Sequence, residues 1–198
     1  MFPSSLVEAP ERLSCKQLYE LALKAKGEIK AIYLHWTAGR YGQYFDDYHI
    51  NIDHDGKVYL TCDELTELKA HTWKHNMGSI GVTICCCYEA TYDKESGDID
   101  YGPYPPTDKQ IDSLIKVVKV LCEALELSCT VAHVRTHYEQ AIIDRYGPGQ
   151  DSDCRWDLMF LKDKNFPTSN HLRLGGELIR SRARDEGYLA DVSKGDDV

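Results

Sequence analysis

The stretch AIYLHWTAG, residues 31–39, decides the fold prediction. Its first four residues are apolar and rich in strand formers, which indicates a buried strand that stops at His35. The small residues Thr37, Ala38 and Gly39 then break the pattern. A strand that ends in a histidine before a loop places an imidazole at a sheet edge, where catalytic and metal sites are often built. A single such histidine also fits a simple polar strand end, so the prediction depends on a second stretch.

That second stretch is THYEQAIIDRYGPGQDSDCRWDL, residues 136–158, in which His137 ends another predicted strand. A catalytic zinc site uses three protein ligands and keeps a fourth position for water. Two strand-end histidines, His35 and His137, would need one more ligand from the loop. Three candidates follow its Gly-Pro-Gly turn: Asp151, Asp153 and Cys154.

The order of predicted elements indicates the fold class. A capped helix over 15–26 precedes the first strand, and a β-hairpin with an Asp-Gly turn follows over 48–61. The continuous apolar run over 79–88 is typical of a central strand, and apolar residues at helical spacing predict a long helix over 107–127. We therefore predict an α/β fold with a central mixed β-sheet flanked by helices, in three layers.

Length, charge and composition restrict the function further. With 198 residues and 42% hydrophobic content, the chain can bury a sizeable core, and we expect a domain over 1–164 followed by a helical or partly disordered tail over 165–198. A net charge of −9 argues against nucleic acid or an anionic membrane as partner. No apolar stretch is long enough for a membrane span, and the N-terminus lacks a signal-peptide pattern. We expect a monomer that is cytoplasmic when made.

Four motifs in one order resemble the zinc-dependent N-acetylmuramoyl-L-alanine amidases of the type 2 amidase family. That family includes phage endolysins, cell-wall recycling amidases and peptidoglycan recognition proteins. The resemblance covers roughly residues 14–160. The motifs are LHWTAG (34–39), YHINIDHDGKVY (48–59), AHTWKHNMGSIGV (70–82), and THYEQA (136–141) together with DSDCRWDL (151–158).

The resemblance implies a Zn²⁺ site held by His35, His137 and Asp151. In recycling-type members the third ligand lies six residues before the aspartate of an aromatic-Asp ending, which here is Asp157 and selects Asp151. In the phage type the third ligand is a cysteine four residues before that aspartate, a position held here by Asp153. Cys154 is the alternative third ligand, because a thiolate binds zinc well.

The resemblance also implies roles around the metal. Tyr48 matches a catalytic tyrosine of phage-type members, and His71 matches a groove position with a substrate or oxyanion role. Many members carry a lysine two residues before the third ligand, where the Asp151 alignment gives Gly149, and recycling-type members carry a glutamate base where Thr83 stands. The candidates for substrate contact are Trp36, Trp73 and Asn76.

The implied function is hydrolysis of the amide bond between N-acetylmuramic acid and L-alanine of the stem peptide. The substrate would be peptidoglycan or muropeptides, and we expect a phage or prophage endolysin. Two alternatives stay open: a peptidoglycan-binding recognition module without catalysis, and a cytosolic muropeptide-recycling amidase. Retention of acidic and thiol candidates in the ligand loop favours an enzyme over a recognition module.

Overall fold

The centre of the molecule is a six-stranded mixed sheet, whose strands lie side by side in the order Glu11–Arg12, Val58–Leu60, Ile50–Ile52, Ser79–Ile84, Ala31–Trp36 and Val134–Thr136. A computed structural model describes residues 5–145, 156–162 and 172–185. The strands are β1 (Glu11–Arg12), β2 (Ala31–Trp36), β3 (Ile50–Ile52), β4 (Val58–Leu60), β5 (Ser79–Ile84), β6 (Thr91–Tyr92), β7 (Ile99–Asp100), β8 (Val134–Thr136), β9 (Phe160–Lys162) and β10 (Leu172–Leu174). The helices are α1 (Cys15–Ala25), α2 (Asp108–Leu125), α3 (His137–Ile143) and α4 (Gly175–Ala183).

The predicted strand around His35 is β2, and it lies inside the sheet. It pairs in parallel with β5 on one side and with β8 on the other. Strand β3 continues the parallel part beside β5, whereas the hairpin partner β4 and the edge strand β1 are antiparallel. The parallel strands are almost wholly buried, as their continuous apolar runs predict. The predicted α/β fold with a central mixed sheet and flanking helices is confirmed.

The two long helices begin where the sequence predicts. Ser14 and Gln17 form a capping box at α1, and Thr107 and Gln110 form one at α2. The apolar face of α2 is buried, with Leu114, Ile115, Val118 and Leu121 inaccessible to solvent. This helix packs on α1 and on the sheet, so it covers one face of the core.

Three element boundaries differ from the predictions. The apolar run over 79–88 leaves the sheet after Ile84, and Cys87 takes a left-handed conformation with φ 69°. The expected strand before His137 is shortened to β8, because residues 128–133 form turns. The segment after Trp156, predicted as a short helix or turn, is a turn that leads into β9.

The C-terminal segment packs on the rest of the fold wherever the structure describes it. Strand β10 pairs antiparallel with β9, and α4 lies against α2 and β8. Leu178, Ile179 and Ala183 are buried in the same core as the sheet residues. The division at residue 164 stays a prediction. Within the described ranges, the helices are all too short or too polar to cross a membrane.

Candidate metal centre

The structure brings His35 and His137 together at one edge of the sheet. His35 lies near the carboxyl end of β2, and His137 is the first residue of α3, directly after β8. Because β2 and β8 are parallel neighbours, their carboxyl ends meet at the same edge. The two Nδ1 atoms are 3.1 Å apart, and both side chains are buried.

A carboxylate that the sequence analysis did not nominate completes the group. Asp157 Oδ2 lies 3.0 Å from His35 Nδ1, and Asp157 Oδ1 lies 3.4 Å from His137 Nδ1. One ligand atom from each of the three residues falls within 4.8 Å of the others. In the sequence, Asp157 is the aspartate of the aromatic-Asp ending, six residues after the predicted ligand Asp151. The nominated loop ligands Asp151, Asp153 and Cys154 lie outside the described residues.

The donor set fits a divalent metal. Burial by itself raises the pKa of Asp157, but the nearby His137 and His35 more than offset it and hold that pKa well below its usual range. The carboxylate is therefore ionised, and its two oxygens face two imidazole nitrogens that lie close together. A cation among these three groups would satisfy all of them, and two histidines with one carboxylate are a common zinc ligand set.

Outside this group, the second ring nitrogen of His35 meets a hydroxyl. His35 Nε2 lies 3.3 Å from Thr72 Oγ1, and that oxygen lies 3.0 Å from His71 Nδ1. The loop that carries Thr72 is fixed by Asn76, whose Oδ1 accepts a hydrogen bond of 2.7 Å from the Thr72 N–H. Ligating histidines usually bind an outer partner through the second nitrogen, which sets the ring orientation. Thr72 is the outer partner of His35 in this structure, and it was not among the residues predicted from the sequence.

His71 is buried behind Thr72 rather than open to a groove. Its side chain packs against Gly81, where an added Cβ would lie 2.5 Å from the imidazole Cγ. Burial first, and then the nearby His35, His49 and His137, lower the pKa of His71 well below its usual value. A neutral imidazole in contact with the Thr72 hydroxyl can affect the orientation of the His35 ring, because the same hydroxyl contacts His35 Nε2. Its predicted substrate or oxyanion role stays a prediction.

Tyr48 lies beside the metal centre. Its ring is centred 5.1 Å from the ring of His35, and its hydroxyl hydrogen-bonds with the Thr83 side chain. Burial and the negative charges of Asp157 and Asp47 raise the pKa of the phenol far above its usual value. Tyr48 therefore keeps its proton at neutral pH and can donate a hydrogen bond.

The two tryptophans proposed for substrate contact have opposite environments. Trp36 is only 5% exposed and packs edge-on against Tyr101 and Trp156. Trp73 is 60% exposed, with the Lys74 ammonium 4.1 Å from its ring centre. Of the pair, Trp73 is exposed to solvent, whereas Trp36 is buried, and the substrate contacts expected of both stay predictions.

Sequence comparison identifies the family. The family model described as N-acetylmuramoyl-L-alanine amidase matches residues 25–153, which is more than half of the chain. This chain therefore belongs to the N-acetylmuramoyl-L-alanine amidase family. It is a hydrolase that acts on peptidoglycan, at the amide bond that gives the family its name. No curated protein sequence matches the chain.

Several solved structures are similar in part. The N-acetylmuramoyl-L-alanine amidase LysC from Clostridium intestinale URNW is 18% identical, with a TM-score of 0.41 over 57% of this chain and 72% of its own. The endolysin amidase LysCS from the same organism is 18% identical, with a TM-score of 0.40 over 58% and 73%. The Ph2119 endolysin from the Thermus scotoductus MAT2119 bacteriophage Ph2119 is 20% identical, with a TM-score of 0.38 over 56% and 72%.

Proposed function

We propose that this chain is a zinc-dependent amidase whose metal ligands are His35, His137 and Asp157. The observation that carries the proposal is the convergence of two imidazole Nδ1 atoms and one ionised carboxylate within 4.8 Å. A zinc ion bound there would act as a Lewis acid that polarises the scissile carbonyl and lowers the pKa of a water molecule.

Counting from the third ligand supports Asp157 over Asp151. The family resemblance implies a lysine, a positively charged residue, two positions before that ligand. If the ligand is Asp157, that position is Arg155, whereas Asp151 would put the uncharged Gly149 there. Arg155 itself lies outside the described residues, so this support comes from the sequence alone.

The surrounding residues have separate tasks in this proposal. Thr72 holds His35 in one ring orientation through Nε2, so that Nδ1 faces the other two ligands. Tyr48 donates a hydrogen bond from its protonated hydroxyl toward the carbonyl oxygen as negative charge develops there. The exposed ring of Trp73 is a surface on which part of the glycan or stem peptide can pack.

The residues at the site favour an endolysin-type enzyme over a recycling enzyme. Thr83 pairs with His35 in the sheet register, at the position where recycling-type members are implied to carry a glutamate base. A threonine cannot act as that base. Tyr48, the match to the phage-type tyrosine, lies next to His35. We therefore propose intact peptidoglycan as the substrate and a monomer as the active form.

The deciding experiment measures bound zinc and amide cleavage together. The unaltered protein and His137→Ala would be compared for zinc content, and for release of L-alanine-terminated peptides from purified peptidoglycan and from soluble muropeptides. We expect one zinc per chain and cleavage of intact peptidoglycan, both lost in His137→Ala. Binding of peptidoglycan without zinc or cleavage would support a recognition module instead. Preferential cleavage of muropeptides would support the recycling alternative.

A further inference from the structure

The C-terminal segment reaches the metal centre through a buried ion pair. Arg180 on α4 binds Glu139 on α3 with both guanidinium ends, Nη1 to Oε2 and Nη2 to Oε1, each at 2.7 Å. The two side chains are only 11% and 20% exposed. Nη1 also donates to the carbonyl of Val134 in β8 at 3.0 Å. Such a two-pronged pair fixes direction as well as distance.

The same glutamate holds the start of the helix that carries His137. Glu139 Oε2 accepts a hydrogen bond of 3.0 Å from the Thr136 N–H, and Thr136 Oγ1 accepts one of 3.2 Å from the Glu139 N–H. These two bonds form the capping box of α3, and His137 lies between the two residues. A shift of Glu139 would therefore move the backbone that aims the His137 imidazole.

The first residue of α4, Gly175, also contacts the backbone that follows Asp157. Leu158, the next residue, has φ 56°, a left-handed conformation that is unusual for leucine. Its carbonyl lies against Gly175, where an added Cβ would come within 2.2 Å of that oxygen. The Gly175 N–H donates to the Met159 carbonyl at 3.0 Å. A strained turn persists when surrounding contacts enforce it, and these contacts come from α4.

We propose that residues 172–185 are a brace that positions both His137 and Asp157 for metal binding, with Arg180 as its positioning residue. The inference rests on the proposed metal site. It extends beyond the family assignment, because the family match ends at residue 153 and includes neither Asp157 nor Arg180. The brace makes the C-terminal segment part of the active site rather than a dispensable tail.

The test compares zinc affinity in the full chain with the fold monitored in parallel. Arg180→Met removes the charge and hydrogen bonds at similar length, Glu139→Gln removes the partner's charge, and the double variant tests whether the two act as one unit. Lys26→Met is the matched control, because it removes an exposed ion pair with Glu126 that lies outside the brace. Zinc affinity would be measured by competition with a chromophoric chelator, and coordination by the absorption spectrum of the cobalt-loaded protein.

We expect Arg180→Met and Glu139→Gln each to weaken zinc binding about 5- to 10-fold, because they reach the His137 ligand through the α3 cap, one step further away than a direct partner of a ligand. The double variant should lose little more than either single variant, and the cobalt spectrum should change. Lys26→Met should match the unaltered protein. Circular dichroism and the thermal midpoint would show that the variants remain folded.

Zinc affinity within twofold of the unaltered protein in folded Arg180→Met would overturn the brace. If that variant does not fold, Glu139→Gln decides, because its remaining carbonyl oxygen can still accept the Thr136 N–H. Unchanged affinity and an unchanged cobalt spectrum in Glu139→Gln would equally reject the inference. Absence of zinc binding by the unaltered chain would instead overturn the proposed metal site itself.

Discussion

The two sides of the metal centre are held in different ways. His35 lies on β2, which pairs with β5 along its whole length and with β8 over residues 32–34, and which is buried inside the sheet. Asp157 lies outside that sheet, on a turn before β9, and β9 pairs with β10 from the C-terminal segment. One ligand is therefore set by a regular strand, and the other by contacts with residues 15 or more positions further along the chain.

This difference separates what local sequence can encode from what needs the whole fold. A buried strand carries its own pattern of apolar residues, so the place of His35 follows from the residues next to it. The turn at Leu158 has no such pattern, since a leucine with positive φ is disfavoured on its own. Its geometry exists because Gly175 and α4 pack against it.

The largest expected effect comes from removing the carboxylate of Asp157. Asp157→Asn should weaken zinc binding by more than the roughly 100-fold limit of outer-shell changes and abolish cleavage of peptidoglycan. Asp151→Asn, the same chemical change in the other candidate, should leave zinc affinity close to that of the unaltered protein. Chelator competition and a peptide-release assay measure both. The opposite ranking would restore Asp151 as the third ligand and leave Asp157 as a neighbour of the histidines.

A second change tests whether the strand alone fixes His35. Thr72→Val keeps the side-chain shape but removes the oxygen that lies 3.3 Å from His35 Nε2. We expect zinc affinity to fall about tenfold, because the imidazole loses the partner that sets its orientation. Thr66→Val, an exposed threonine in the same region, is the control. Equal affinities in the two variants would show that β2 orients His35 without help from the loop.

The stability of the folded protein should also decrease in acid, because the buried His49 is neutral. Its Nδ1 accepts from the Gly81 N–H at 3.0 Å and its Nε2 donates to the Glu67 carbonyl at 2.8 Å, so the neutral ring is the one that fits. Burial, opposed by the Glu67 carbonyl, lowers the His49 pKa to about 4. The charges that face it are Glu67, which favours the protonated ring, and Lys69, which opposes it; the neutral His71 ring packs nearby.

The sign of the pH effect follows from that depressed pKa. Above the unfolded value of about 6.5, His49 is neutral in both states and adds no pH dependence. As the pH falls below 6.5, His49 becomes protonated in the unfolded chain but stays neutral in the folded chain. The free energy of unfolding therefore decreases until about pH 4, where the folded chain also binds the proton. Between pH 7 and pH 5 the free energy of unfolding should fall by about 2 kcal/mol more than in His49→Gln. Urea unfolding at both pH values measures this. Parallel pH profiles in the two proteins would contradict it.

The smallest expected effect comes from removing helix caps, and it distinguishes the stability of a helix from the positioning of a metal ligand. Thr136→Ala and Thr107→Ala each remove one capping hydroxyl and should each cost about 1 kcal/mol of unfolding free energy. Zinc affinity should fall severalfold in Thr136→Ala alone, because that cap precedes His137 whereas Thr107 caps α2. Urea unfolding and zinc titration of both variants test this pair. Equal zinc affinities would mean that the start of α3 tolerates loss of its cap without moving His137.

Much of the fold and two of the three proposed ligands were predictable. The apolar run before His35, the Asp-Gly hairpin and the helical spacing over 107–127 are short-range patterns, and the structure contains all three elements. His35 and His137 were nominated because each follows a predicted strand. Parallel pairing of β2 with β8 then brings their Nδ1 atoms to 3.1 Å.

The remaining ligand could not be chosen from spacing. Several acidic residues and a thiol follow the Gly-Pro-Gly turn, and a loop can aim any of them at a metal. Asp157 was passed over because it served as the landmark for counting. Its pairing with the histidines depends on a left-handed Leu158, which no propensity scale favours. The burial of His71 could not be predicted either, because it depends on the missing Cβ of Gly81 in β5.

The sequence by itself determined the central strands, the two long capped helices and the two histidines of the amidase family, since these depend on periodicity and on neighbours a few residues apart. Only the tertiary structure decided that Asp157 faces those histidines and that Arg180 reaches Glu139, 41 residues away. The physical reason is that a charge in a loop gains its role from the partner it meets on folding. That partner can lie anywhere in the chain.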